Sequence, residues 1–131
     1  MKKTVIILGV LLLLGNASIA SNLDLKPSNQ VEFRFYGKSP LHLAISKGDI
    51  EAVKKFIMYE SNASRMVNKM VNNMTPLMIA ARFNYCEIMQ ILLTNGADLS
   101  IENSHGFTAL HYAEFAKSTE AIAILKKEKK K

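Results

Sequence analysis

At 131 residues, 49% of them hydrophobic, the chain has room for one small domain. Its formal charge of +6 sits at the two ends: Lys2 and Lys3 open the chain, KKEKKK at 126–131 closes it, and residues 21–125 hold ten basic and ten acidic side chains. A neutral body excludes nucleic-acid binding through a broad basic face, and a lone cysteine, Cys86, excludes an internal disulfide.

The N-terminal segment has three parts: Lys2 and Lys3, an apolar run from Val5 to Leu14, and small residues from Gly15 to Ala20. This is the pattern of a signal peptide at 1–20, and Ser18 and Ala20 predict cleavage after Ala20, with Ala17 as the second choice. The ten-residue run is shorter than the ~20 residues a bilayer-spanning helix needs, so no stable membrane anchor is expected after cleavage. The expected product is exported, periplasmic or secreted, and begins at Ser21. Residues 21–33 show little apolar periodicity, contain Pro27, and read as a linker or loose N-terminal cover.

From residue 34 onward the chain repeats itself. Ser39-Pro40-Leu41-His42, Thr75-Pro76-Leu77-Met78 and Thr108-Ala109-Leu110-His111 align at spacings of 36 and 33 residues. Each is followed by an apolar or aromatic residue and alanine (Leu43-Ala44, Ile79-Ala80, Tyr112-Ala113), then by a polar break near Gly48, Asn84 or Lys117. A second segment with apolar residues on three- and four-residue steps follows each break, which predicts two short helices per copy. Ser39, Thr75 and Thr108 fit helix caps, and Pro40 and Pro76 fit the first helical turn, where no amide is needed. Gly37, Asn73 and Gly106 stand two residues before the caps, where a tight turn can require positive φ.

These copies resemble the ankyrin repeat, a 33-residue unit with a turn, a Thr-Pro-Leu-His-x-Ala helix start and a second helix. The resemblance implies an all-α solenoid of about three helix-turn-helix repeats, at about 34–69, 70–102 and 103–125, with the last truncated and a lysine-rich tail at 126–131. Asn95-Gly96-Ala97-Asp98 and the weaker Ser61-Asn62-Ala63 match the family's helix-end segment. Met78 replaces the motif histidine and Ala109 its proline; the first motif spacing, 36 residues, exceeds the second, 33, by three, and this longer link before Met74 suggests a less rigidly tied second copy.

Few residues suggest chemistry. The resemblance gives His42 and His111 a structural role, bonding neighbouring backbone, while His105 falls at a hairpin tip where a contact role fits. Glu51, Glu87 and Glu120 share one repeat position in the first turn of the second helices, where the helix dipole stabilises a carboxylate; spaced a repeat apart, they do not converge as acid and base would. Cys86 aligns with Ile50 and Thr119 and reads as a small core residue, with a reactive thiol at a helix start as its alternative. No cofactor and no metal site is expected, and the chain reads as a non-enzyme.

What remains is a surface. The resemblance implies protein recognition by hairpin tips and outward positions of the first helices: Phe35, Tyr36, Lys38, Ser46 and Lys47; Val71, Asn72, Met74, Arg82 and Phe83; Ser104, His105, Phe107, Phe115 and Ala116. Five of these fifteen are aromatic, half of the chain's ten Phe and Tyr, and partner-binding surfaces enrich rings and arginine. The expected function is therefore an exported, non-catalytic, monomeric protein–protein interaction module. Its alternatives are a redox protein using Cys86, or a membrane-surface or polyanion tether using the C-terminal lysines.

Overall fold

The computed structural model describes residues 39–131; the signal peptide, the 21–33 segment, Gly37 and the site candidates Phe35, Tyr36 and Lys38 lie outside them. Seven helices run through the described residues: α1 Pro40–Ser46, α2 Ile50–Met58, α3 Ala63–Val67, α4 Pro76–Arg82, α5 Cys86–Thr94, α6 Ala109–Phe115 and α7 Thr119–Lys129. The only extended pairing among these residues is one isolated bridge, Val71 with Met74. The first helices stack in the order α1, α4, α6, the second helices in the order α2, α5, α7, and each first helix packs on the second helix of its own repeat. This is an all-α solenoid of three helix pairs.

The repeated sequence has a repeated local cause. Ser39, Thr75 and Thr108 accept the main-chain N–H of His42, Met78 and His111 at 3.4, 3.2 and 3.5 Å, so each hydroxyl satisfies one free donor of its first turn. The first helices end alike. Asp49, Tyr85 and Ser118 donate back to the carbonyls of Ala44, Ala80 and Ala113 at 2.9, 2.9 and 2.8 Å, with a second bond from Gly48, Asn84 and Lys117 to Ile45, Ala81 and Glu114. This paired closure, the Schellman arrangement, needs a left-handed residue just past the helix, and Gly48, Asn84 and Lys117 take it at φ 69°, 60° and 57°. The turns before the caps use the same conformation at Asn73 (φ 65°) and Gly106 (φ 78°).

Between the helix layers runs one continuous apolar seam. Leu41, Ile45, Val53, Leu77, Ile79, Ile88, Met89, Leu92 and Leu125 are fully buried, and each stabilises the stack by roughly 1.5–3 kcal/mol relative to exposure. The alanines at 44, 80 and 113 are buried at one repeat position, where a small side chain lets neighbouring helices approach.

The long link between the first two repeats departs from the expected looseness. Its extra residues fold as α3, capped by Asn62, whose side chain accepts the Arg65 N–H at 3.1 Å, and α3 buries Val67 completely. Asn68 then ties this link to the next one, donating to the Gly96 carbonyl at 2.8 Å and accepting from the Asp98 N–H at 2.7 Å. The insertion is anchored by packing and by hydrogen bonds, so the second repeat is not weakly tied on this side. At the other end, α7 continues through the lysines to Lys129.

Candidate functional site

Two asparagines shape the hairpin tips. Asn103, buried, accepts from the His105 and Phe107 N–H groups at 2.9 and 3.1 Å and donates to the Asn73 carbonyl (3.1 Å) and the Tyr112 hydroxyl (2.7 Å). Asn73 answers by accepting from the Ser104 N–H at 3.0 Å. One tip is thereby stitched to the next, with Ser104 and His105 exposed and Phe107 half-buried.

The candidate rings gather in two places. At the end of α4, Arg82 and Phe83 are exposed, with the guanidinium 5.3 Å from the Phe83 ring centre and Tyr85 at 5.6 Å on its flank. An arginine over a ring face is worth about 0.5–1 kcal/mol at an exposed site, enough to bias the two side chains toward one joint surface. Around α6, Phe107 of the preceding turn and Phe115 meet edge to face at 5.0 Å, with His111 beside both at 5.7 and 6.2 Å and Tyr112 beside both at 6.0 and 6.1 Å. Phe115 is 59% exposed. His105 closes the row at 6.0 Å from Phe107.

The structure corrects one candidate outright. Met74 is 7% exposed and belongs to the core, because its position lies under the following hairpin and its main chain forms the bridge with Val71. Ser46, offered with it, is also buried and donates to the Leu43 carbonyl at 2.8 Å. Lys47, Asn72 and Ala116 are exposed and Val71 half-buried.

The other titratable groups serve the stack. His42 is fully buried; its Nε2 donates to the Lys69 carbonyl of the next repeat's link at 3.0 Å, and its Nδ1 meets the Ser39 hydroxyl at 2.6 Å. Burial pushes its pKa down from 6.5 to about 4, against the main-chain bonds to Lys69 and Met74, which hold it up. Glu51 and Glu87 both approach Lys54, at 3.6 and 3.9 Å, while Glu120 accepts from the Asn84 amide at 2.6 Å, which holds its carboxyl below the usual range. Cys86 is half-buried rather than buried, with Sγ 3.6 Å from the Asn84 carbonyl, and burial together with the Glu120 charge pushes its thiol pKa up. A thiol so placed stays protonated, the opposite of an activated one. Among the described residues no three His, Cys, Asp or Glu side chains are grouped to hold a metal ion, and no helix is long and apolar enough to cross a membrane.

Two features were missed in the sequence. The asparagine stitches carry no local signature, since the partners lie about one repeat away. Near the end of α2, Lys55, Phe56, Tyr59, Glu60 and Met66 line an open hollow of about 410 Å³. Phe56 shares its repeat position with Leu92 and Leu125, both buried, so its place in the first repeat could have flagged an exposed ring.

A stack of helix pairs with capped first helices, left-handed closures and hairpin tips defines a helical-repeat solenoid. The model of the family described as ankyrin repeats (3 copies) matches residues 9–103 and 41–131, and the chain belongs to the ankyrin repeat family. It is similar to the human transient receptor potential cation channel subfamily A member 1, 33% identical over 67% of this chain and 8% of that protein. Similarity extends to human neurogenic locus notch homolog protein 1, at 31% over 70% of this chain and 4% of that protein. An ankyrin repeat protein of Rickettsia bellii (strain RML369-C) is 33% identical over 66% of this chain and 54% of its own length. The match thus spans under two thirds of each relative.

Proposed function

We propose that this chain is an exported, non-catalytic module that binds another protein, as a monomer, through its hairpin tips and first-helix face. The observation that carries this reading is the gathering of rings and an arginine at the surface, exposed Arg82 with Phe83 and half-buried Phe107 with exposed Phe115. Such side chains are a solubility liability unless something uses them, and they are the types that dominate binding energy at protein interfaces. The charged leader and short apolar run support export to the periplasm or beyond the cell. The raised pKa of Cys86 weighs against a redox role.

The test begins with crosslinked capture from the native envelope or medium, followed by affinity measurements on the captured partner. Phe83→Ala should weaken binding by about 2 kcal/mol, whereas Lys47→Ala should alter mainly association rate and salt dependence. If Phe83→Ala and Phe107→Ala both leave affinity unchanged, or both unfold the stack, the surface is not the interface. Export is checked by the intact mass of the released protein, expected to begin at Ser21; retention of Met1 to Ala20 there would sink that part.

A further inference from the structure

We propose that the forward edge of the third repeat, the edge facing the direction in which the stack grows, docks an acidic polypeptide segment. That segment presents a main-chain carbonyl and an apolar side chain. The proposal rests on reading the stack as a protein-binding module, but not on the concave face around Arg82 and Phe83.

The direction is fixed by His42, whose Nε2 reaches forward to the Lys69 carbonyl of the next link, and by Lys54 of α2, which reaches forward to Glu87 of α5. Most positions that carry this contact in the first two repeats are closed: His42, Ser46 and Val53 are buried in the first, and Met74, Met78 and Met89 in the second, where Arg82, the counterpart of Ser46, alone stays exposed. In the third repeat the same positions hold Phe107, His111, Phe115 and Ile122. The first two and Ile122 are half-buried, and Phe115 is exposed. Among the described residues α6 packs on α4 and α7, and no element lies on its forward side.

His111 sharpens what fits there. Its Nδ1 accepts the Thr108 N–H at 2.9 Å, which leaves the proton of the neutral ring on Nε2. In His42 the corresponding Nε2 bonds a peptide carbonyl; among the described residues His111 has none. A polypeptide laid along the edge supplies that acceptor and covers the flanking rings of Phe107 and Phe115. A bare polyanion has acceptor oxygens but no apolar group to cover the rings. Charge selects the kind of polypeptide. Lys126 follows Ile122 by one helical turn, Lys127, Lys129, Lys130 and Lys131 crowd the same helix end, and the one acid among them, Glu128, is paired with Lys131 at 2.7 Å. A second copy docked edge to edge would set its own lysines against these, whereas carboxylates on the incoming segment match them.

The test titrates the whole chain with a short labelled peptide of glutamates around a central Leu-Phe pair, with its Gln-for-Glu counterpart, and with vesicles containing anionic phosphatidylglycerol. The acidic peptide should bind at least about tenfold more tightly than the Gln peptide, and Phe115→Ser or Lys126→Glu should each weaken it about tenfold. His111→Phe keeps a ring, removes the donor, and should also weaken it, whereas Phe83→Ala should not. Melting temperatures distinguish lost contact from lost fold; changes at Phe115 and Lys126, both exposed, should shift them only slightly. The proposal is overturned if the two peptides bind alike, if Phe115→Ser has no effect, or if Lys126-dependent binding is seen with vesicles alone. It is equally overturned if sedimentation shows a dimer that Phe115→Ser disperses. Failure of the peptide while a captured partner still depends on Phe83 removes this inference only, and the reverse outcome removes only the concave-face reading.

Discussion

His42 and His111 stand at the same position of their repeats and are chemically the same side chain, yet one lies within the stack and the other on its edge. His42 is covered by the link of the next repeat, bonded at both nitrogens, and driven toward its neutral form by burial. His111 keeps only the contact to its own cap and shares a half-open row with Phe107 and Phe115. The difference teaches that in a stacked fold the repeat position sets a side chain's direction, while the neighbouring repeat decides whether that direction means core or surface.

The sharpest way to break the comparison is to delete apolar volume on each side of it. Leu92, fully buried between the second and third repeats, should cost about 2–5 kcal/mol when changed to alanine, through lost burial and the cavity left behind. Phe115→Ala, at a larger but 59% exposed ring, should cost under about 1 kcal/mol. Urea unfolding of the two variants decides it, and equal losses would mean the third repeat is covered after all. Because a small domain has only about 5–15 kcal/mol in total, Leu92→Ala is expected to bring the whole stack near its threshold.

Acid provides the next largest effect and acts on the covered side. The unfolded chain protonates His42 near pH 6.5 and the folded one only near 4. The folded value is the lower, so the stability linked to this neutral ring is fully present above pH 6.5, declines as pH falls through the window from 6.5 to 4, and levels off below it. At about 1.4 kcal/mol per pH unit the loss over the window is about 3 kcal/mol. His42→Met, which copies the residue found at position 78, should flatten this part of the pH profile while lowering stability at neutral pH by about 1–2 kcal/mol for the lost hydrogen bonds. A profile for the variant as steep as that of the parent would place the acid-sensitive group elsewhere.

A smaller effect tests what joins the repeats without apolar contact. Asn84 adopts φ 60° and from there accepts the Ala121 N–H at 3.0 Å and donates to Glu120 at 2.6 Å, crossing from the second repeat to the third. Asn84→Gly keeps the left-handed turn and removes both bonds. It should cost about 1 kcal/mol, read as a shift in denaturant midpoint, with little change if solvent replaces the amide fully.

The comparison also marks how far the sequence could be read. Short-range chemistry was legible: the caps at Ser39, Thr75 and Thr108, the left-handed turn at Asn73, and the paired helices all follow from residues within a few positions of one another. Met74 was misplaced because its outward direction was read from the repeat register, whereas its burial depends on the hairpin of the following copy. The three extra residues before it looked like slack, since nothing local announces that Val67 will be buried or that Asn68 will reach Gly96 and Asp98. The half-exposed Cys86 differs from its expected core role for a related reason: its counterparts Ile50 and Thr119 are themselves only partly covered or exposed, so their identities did not fix burial at that position.

The smallest expected effect lies where one repeat position carries three different residues. Gly48, Asn84 and Lys117 all close a first helix at φ near 60–70°. Glycine adopts that conformation freely and asparagine tolerates it, but an ordinary side chain is strained there by contact with its own backbone. Gly48 has a second reason to lack a side chain, since a Cβ would come within 3.0 Å of the Tyr85 ring. Lys117 is exposed, and its main-chain N–H still closes the helix on the Glu114 carbonyl at 3.1 Å. Lys117→Gly therefore relieves strain in the folded chain and partly offsets that gain through the greater freedom of glycine in the unfolded chain. The expected net is a stabilisation of about 0.5 kcal/mol, seen as a slightly raised denaturant midpoint with an unchanged slope. A fall in the midpoint would mean that the lysine side chain holds the end of the third first-helix more firmly than its backbone strain costs, and the third repeat would then be the better anchored of the two regions compared.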